Sequence, residues 1–486
     1  MTRPVPSGWR AHPERFVTRP APPALVAAFP PHVADAIGRL AAAGHEAVAV
    51  GGGVRDALLG RGVTGYWDLA TSATPEQVMA VHPNALPTGI AHGTVTIPDP
   101  NGAIEITSYR TDHGYSDARR PDEVRFGVDL LTDLERRDFT VNALAYEPAS
   151  GLVLDAVKGL ADLEAKVLRA VGDPVRRFRE DALRPLRGAR LAAVLGFAIE
   201  PETRKALGAA EDLVPRLSAE RVRDELTRMM AAPKPSIGLE LLREAGLLRL
   251  LLPELEATVG VSQNRFHAYD VYGHTLRAVD AAVPGNFIVR WAALTHDLGK
   301  PTTRAVKEDG EASFHGHPQA GGAIADAMLE RLRLPRADRE RIVHLVREHL
   351  FDYRPEWTDA AVRRFVRRVG ESQLDDLFAL RAADAAGTRA GTPDLSNLEA
   401  FRRRIAEVLA TGPALSTREL AIDGRELMAA LDLPPGPRVG AILDALIERV
   451  LDDPALNTKS ELLALARTVA STMGEAGRGS ASRPAP

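Results

Sequence analysis

Two separate groups of residues in this chain have the types and spacing to do chemistry. In the first, the apolar run Ala47-Val48-Ala49-Val50 ends in Gly51-Gly52-Gly53-Val54-Arg55-Asp56. Asp68 follows, and Glu105 sits inside the alternating segment Ile104-Glu105-Ile106. Glycines let backbone approach a triphosphate closely, and a helix starting there favours its negative charge. The lysine of a Walker A loop is missing, so a P-loop ATPase is a poor fit. Carboxylates brought together on adjacent strands can hold Mg²⁺, which activates an attacking hydroxyl and stabilises charge at phosphorus. In the second group, seven of the thirteen histidines fall between His267 and His349, with the pair His296-Asp297 and a distant Asp384. Imidazole and carboxylate ligands suit Mg²⁺, Mn²⁺, Ni²⁺ or Fe. A lone histidine on an apolar helix is ordinary core, but four or more polar residues in this order are hard to explain that way.

These residues need elements to hold them. Strand character is read at 47–50, 92–97 and 103–109, with helical pattern between, as at Thr74-Pro75-Glu76. Alternation turns Glu105 away from its apolar neighbours. From about 160 to 255 only helical periodicity is read. The pattern predicts an arm at 1–28, rich in Pro and Arg and loosely held. After it come a mixed region at 29–155, helices at 156–260, the histidine block at 261–400, a helical end at 401–473 and a disordered tail at 474–486. A length of 486 residues exceeds a single core. Lys plus Arg is 61 against 65 acids, a net charge of −4, so any nucleic-acid surface must be local. The chain has no cysteine, which excludes disulfides, thiolate zinc sites and cysteine nucleophiles. No apolar stretch is long enough for a membrane span and no signal peptide is read, so a cytoplasmic location without membrane contact is expected. Oligomeric state is not read from the sequence.

Further motifs follow in order: Arg110 to Gly127, Arg136-Arg137-Asp138-Phe139-Thr140-Val141-Asn142-Ala143, Glu180-Asp181-Ala182-Leu183-Arg184, and Glu220-Arg221-Val222-Arg223-Asp224-Glu225-Leu226. Together with the glycine segment they resemble the class II tRNA nucleotidyltransferase and bacterial poly(A) polymerase family. The resemblance implies an α+β protein: a small polymerase-β-like nucleotidyltransferase head, then an all-α neck, an HD domain and a helical C-terminal domain. It implies transfer of CMP and/or AMP from CTP and ATP to a tRNA 3′ end. Asp68 and Glu105 would hold catalytic Mg²⁺. Gly52, Gly53, Arg55, Asp56, Arg137, Asp138, Asn142 and Arg187 would contact the nucleotide. Asp181 and Arg184 would read the base, Asp accepting from an amino group while Arg donates to ring nitrogens and carbonyls.

The histidine block resembles the HD-domain phosphohydrolases. By that resemblance His274, His296, Asp297 and Asp384 would bind a divalent metal such as Mg²⁺, Mn²⁺ or Ni²⁺. His317 and His349 would serve a second metal and Lys300 a phosphate, although sequence does not decide between His315 and His317, or His344 and His349. The pattern departs from the family at one point. The first Asp of Asp-x-Asp falls on Tyr66, and tyrosine is not a ligand for a hard cation at neutral pH. The rival reading is therefore a phosphohydrolase whose impaired head has become an RNA-binding module.

Overall fold

The computed structural model describes residues 9–62, 67–113, 123–265, 267–411 and 419–479. Tyr66 lies outside the described residues, as do Gly114-Tyr115-Ser116 and Arg119-Arg120-Pro121 of the Arg110–Gly127 segment. The chain divides into two compact units, 1–257 with 328–334, and 258–327 with 335–486.

The first unit is built on an eight-stranded sheet. Its strands are β1 (Val17–Pro20), β2 (Ala47–Val50), β3 (Trp67–Thr71), β4 (Leu86–Gly89), β5 (Thr94–Ile97), β6 (Ile104–Ser108), β9 (Leu144–Glu147) and β10 (Leu152–Asp155), with a separate hairpin of β7 (Arg110–His113) and β8 (Glu123–Phe126). Spatial order is β1-β10-β9-β2-β3-β6-β5-β4. Every pairing is antiparallel except β3 with β6, which run parallel. That parallel pair sets Asp68 directly beside Glu105. One face of the sheet is packed by Val48, Val50, Ala70, Tyr109, Leu130 and Leu134. Strict alternation holds on β6, where Ile104 and Ile106 are buried and Glu105 is exposed. Thr74 caps the Pro75–Val81 helix through a capping box with Gln77.

Residues 9–28 do not form the loosely held arm expected from composition. β1 adds to the sheet edge against β10, and the Pro23–Ala28 helix buries Leu25. Arg10 makes a fork onto Glu147 at 2.6 and 2.7 Å, and the Trp9 amide donates to Glu46 at 3.2 Å. Proline and arginine dominate the segment, but Trp9, Phe16 and Leu25 supply its anchors, too sparsely spaced to show a period. A second difference lies at 160–255. Val167–Leu168 and Ala198–Ile199 pair as short parallel strands among the helices, and two residues carry no readable alternation. The helices Pro174–Glu180, Leu183–Leu195, Ala219–Met230 and Pro235–Glu244 are among those that make up the rest of this stretch.

The second unit is helical apart from a short antiparallel pair, Ala305–Val306 with Ala312–Ser313. Val271–Ala281, Phe287–Thr295, Arg336–Glu348 and Leu374–Thr388 carry or flank the histidine block. Towards the C-terminus, Gly424–Leu431, Pro437–Asp452 and Lys459–Gly479 pack around Ile442, Leu446, Leu451 and Leu462. The last helix continues to Gly479, past the expected tail boundary at 474. Asp423 caps the Gly424 helix with Glu426 in a capping box. Among the described residues no helix is long and apolar enough to cross a membrane.

Candidate functional site

In the first unit a cleft of ≈ 450 Å³ opens over the ends of β2, β3 and β6. It is lined by Gly52, Arg55, Asp68, Arg137, Asp138, Asn142, Asp181, Arg184 and Arg187. Arg110, Arg136 and Arg190 join them, so seven guanidinium groups face a cleft with three carboxylates. Gly51 holds the turn that makes it possible. Its φ of 77° and ψ of −145° lie where L side chains are strained, and an added Cβ would meet Asp68 Oδ2 at 3.0 Å.

Asp68 is raised by burial, against the pull of Arg137 and Arg187. Glu105 is raised by burial and by the negative charge of Asp68. Two carboxylates side by side, one pushed towards its neutral form by the other, are a donor set that a hard divalent cation relieves. Asp138 is buried, yet Arg187, the Asn142 amide and Arg184 overcome that burial and hold it at about 2. It is therefore a fixed anion, with Arg187 at 3.2 Å, the Asn142 amide donating at 3.1 Å and its own oxygen accepting from Phe139 N–H at 2.7 Å. Asn142 in turn accepts from Arg55 at 2.5 Å.

The pair expected to read a base is locked. Arg221 grips Asp181 at 3.0 Å, and Asp181 also accepts from Leu183 N–H. Arg184 is held by Glu180 at 2.6 Å and donates to the carbonyls of Arg177 and Arg136. Buried Asp133 fixes Arg136 at 2.7 Å and Arg137 at 3.0 Å. Three expected residues lie off the cleft lining. Gly53 packs on the Trp67 ring, Asp56 is engaged with Arg55 at 2.9 and 3.0 Å, and Glu105 stands beside Asp68 on the neighbouring strand.

In the second unit six side chains converge. His274 Nε2 lies 3.0 Å from His296 Nε2, 3.3 Å from Asp297 and 3.1 Å from Asp384. His317 Nε2 is 3.4 Å from the other oxygen of Asp297 and 3.3 Å from His349 Nε2. Two triads thus share Asp297: His274, His296 and Asp297, and Asp297, His317 and His349. His296, His317 and His349 each donate Nδ1–H to the carbonyl three residues earlier, at 2.9, 2.8 and 2.6 Å. A carbonyl can only accept, so these bonds leave the Nε2 lone pairs facing the cluster. Lone pairs of His317 and His349 at 3.3 Å repel unless a cation lies between them, which fits a divalent metal. Asp297 is held well below the usual carboxylate range: His296 and Lys300 outweigh its burial. Lys300 bonds Asp297 and Gln263, both at 2.6 Å.

Two glycines permit this convergence. A Cβ on Gly299 would meet the His317 carbonyl at 2.2 Å, and one on Gly387 would meet the His274 carbonyl at 2.8 Å. The geometry also separates the histidines that sequence left undivided. His317 and His349 enter the cluster, whereas His344 bonds the Val369 carbonyl at 2.7 Å, and His315 lines the adjoining cavity.

Both sites match known families. Residues 47–169 match the Poly A polymerase head domain, 196–258 the probable RNA and SrmB-binding site of polymerase A, and 271–386 the HD domain. An A-adding tRNA nucleotidyltransferase of Deinococcus radiodurans is 37% identical over 83% of this chain and 91% of its own length. The chain belongs to the tRNA nucleotidyltransferase family. The CCA-adding enzyme of Geobacillus stearothermophilus is 32% identical over 87% of this chain and 92% of its own. The crystal structure of the Bacillus stearothermophilus CCA-adding enzyme in complex with CTP matches with a TM-score of 0.67 at 27% identity, covering 92% and 100% of the two chains. Within this tRNA nucleotidyltransferase, sequence reasoning quoted Gly51 and Arg110 inside motifs without giving either a site role of its own, and passed over Asp133. Gly51 had a signal in the glycine run itself. Asp133 had none, since a lone acid on the short Leu130–Glu135 helix reads as solvated surface.

Proposed function

We propose that this protein adds AMP and/or CMP, from ATP and CTP, to the 3′ end of tRNA and releases pyrophosphate. The observation that carries the proposal is one cleft in which Asp68 faces an arginine-lined wall and the pair Asp181 and Arg184. Arg110, Arg136, Arg137 and Arg187 suit a triphosphate, and Arg55 with Asn142 suits the sugar. Asp181 and Arg184, each clamped by a partner, present fixed acceptor and donor edges that choose a base without a template strand. In the reaction the terminal 3′ oxygen bonds to the α-phosphorus, the bond from that phosphorus to the pyrophosphate oxygen breaks, and the hydroxyl proton leaves. Asp68 and Glu105 would hold a divalent cation, for which hard oxygen donors favour Mg²⁺, and when bound it supplies charge stabilisation at phosphorus. Labelled ATP and CTP, offered singly and together to tRNA lacking its CCA end, test the proposal, and product length separates A, CC and CCA addition.

A second activity is proposed for the other unit. The two triads sharing Asp297 support metal-dependent hydrolysis of a phosphate ester, with His274, His296, Asp297 and Asp384 holding one divalent ion and His317 and His349 a second. Lys300, which lines the cavity over the cluster, would donate to a phosphate oxygen. Hydrolysis of p-nitrophenyl phosphate with added Mg²⁺, Mn²⁺ or Ni²⁺, and its loss in His296→Ala/Asp297→Ala, tests this reading.

A further inference from the structure

Asp181 and Arg184 come from one segment of the first unit, Arg136 and Arg137 from another, and a single side chain ties the two together. Arg177, on the Pro174–Glu180 helix, is 13% exposed and turns its guanidinium to the end of the Leu130–Glu135 helix. Its Nη2 donates to the Glu135 carbonyl at 2.7 Å, and its Nη1 to the Arg136 carbonyl at 2.8 Å. The last carbonyls of a helix have no partner within it, and a cation suits that end. The same Nη1 donates to Glu180 Oε2 at 2.9 Å, and Nε donates to the Val171 carbonyl at 3.1 Å. Arg184 shares two of these acceptors, Glu180 Oε2 at 2.6 Å and the Arg136 carbonyl at 3.2 Å, and donates to the Arg177 carbonyl at 2.8 Å. Both Nη1 hydrogens of Arg184 and one on Nη2 are thereby used, so Nε–H and the second Nη2 hydrogen are left for a base.

We propose that Arg177 is a positioning residue that sets nucleotide choice, by holding Arg184 and the Arg136–Arg137 wall in one frame. The inference rests on the transferase reading of the cleft and adds to it a residue outside the cleft lining. How firmly Glu180 draws Arg184 decides where the two remaining hydrogens point. With Arg177 in place, one carboxylate oxygen serves two guanidinium groups and neither takes it alone. Without Arg177, Glu180 would draw on Arg184, because Arg176, the other cation near it, is exposed and 3.4 Å away. The Arg136 carbonyl would also lose its nearer donor, freeing the backbone beneath a side chain that Asp133 holds. Lysine cannot stand in for this fork. It keeps the charge at the helix end, but as a point charge on a flexible stem it does not span three carbonyls and a carboxylate.

The test reads a ratio. ATP, CTP, UTP and GTP are offered singly, with Mg²⁺, to the full chain and tRNA lacking its CCA end. UTP and GTP present a carbonyl where CTP and ATP present an amino group, so they probe the fixed edges directly. Arg177→Lys is expected to lower the preference for ATP and CTP over UTP and GTP, as kcat/KM, roughly tenfold. Arg177→Gln, expected to do the same, covers the case in which Arg177→Lys does not fold. Arg179→Lys is the control: that arginine lies on the same helix but pairs with Asp212 and the Ala209 carbonyl, and its preference should stay natural. A purely structural role would slow all four nucleotides together and leave the ratio unchanged. A preference within about twofold of the natural chain in the folded variants, or an equal loss on all four, overturns the proposal. Calorimetric binding of the four nucleotides in EDTA runs alongside. If the natural chain adds nothing, the transferase reading fails and the binding ratios alone decide: a fall of about threefold or more in Arg177→Lys upholds the coupling, and an unchanged ratio ends it.

Discussion

Gly51→Ala is the most discriminating single change in the transferase cleft. The residue sits at φ 77°, ψ −145°, a region essentially reserved for glycine, and forcing alanine into it costs roughly 1–3 kcal/mol. The new methyl would also lie 3.0 Å from Asp68 Oδ2, so the carboxylate must retreat by a few tenths of an ångström. Every ~1.4 kcal/mol in barrier height is a factor of ten, and small misplacements of a reacting group cost up to about a hundredfold. The expected result is a fall in kcat for nucleotide addition of roughly ten- to a hundredfold. KM for ATP should change far less, because the added methyl would meet Arg137 Nη1 at an ordinary 3.6 Å and need not displace it. Gly52→Ala is the internal control: its Cβ would meet Arg55 Nη2 at an ordinary 3.5 Å, and no positive φ is involved. Steady-state incorporation of labelled nucleotide and a melting curve on both variants decide the matter. Equal, near-natural rates for Gly51→Ala and Gly52→Ala would refute the claim that the glycine turn sets Asp68.

Restoring a carboxylate with Tyr66→Asp is expected to raise the addition rate on the order of a hundredfold, measured by the same incorporation assay. Gly387→Ala is expected to push the Val271–Ala281 helix away from Asp384, and to cut bound metal per chain, read by elemental analysis, while leaving nucleotide addition intact. His317→Ala/His349→Ala is expected to halve that metal stoichiometry, because it removes two of the three ligands of one triad. Glu46 supplies a pH dependence. Burial raises it from 4.5 to about 7, so the folded state binds this proton more tightly than the unfolded chain. Its contribution is full below pH 4.5 and is lost as pH rises through 7, a difference of about 2–3 kcal/mol. Glu46→Gln should therefore melt like the natural chain at pH 5 and higher than it at pH 8, and equal melting at both values would remove Glu46 as the cause.

Much of this site was legible because its chemistry lies in local strings. The glycine turn, the Arg136–Asn142 stretch and the Glu180–Arg184 stretch are each contiguous, and all three reach one cleft. The alternation Ile104-Glu105-Ile106 disclosed which way Glu105 faces, but only the parallel pairing of β3 with β6 discloses that it stands beside Asp68. Long-range partners were invisible for the same reason. Nothing near Asp181 in sequence announces Arg221, forty residues on, and nothing near Arg10 announces Glu147. The N-terminal segment was misread because proline and arginine content speaks for disorder, while three well-placed apolar residues are enough to anchor it. In the histidine block, sequence gave candidates in excess. The bond from His344 to the Val369 carbonyl, a contact across 25 residues, is what removes that histidine from the cluster.

The most direct test of the central claim is addition of labelled ATP and CTP to tRNA lacking its CCA end. The natural chain, Asp68→Ala and His296→Ala/Asp297→Ala would be compared under the same conditions. The expected result is addition by the natural chain, addition undiminished in the histidine variant, and none in Asp68→Ala. Failure of the natural chain to add either nucleotide, or addition that survives Asp68→Ala, would contradict the assignment of the arginine-lined cleft as the transferase site.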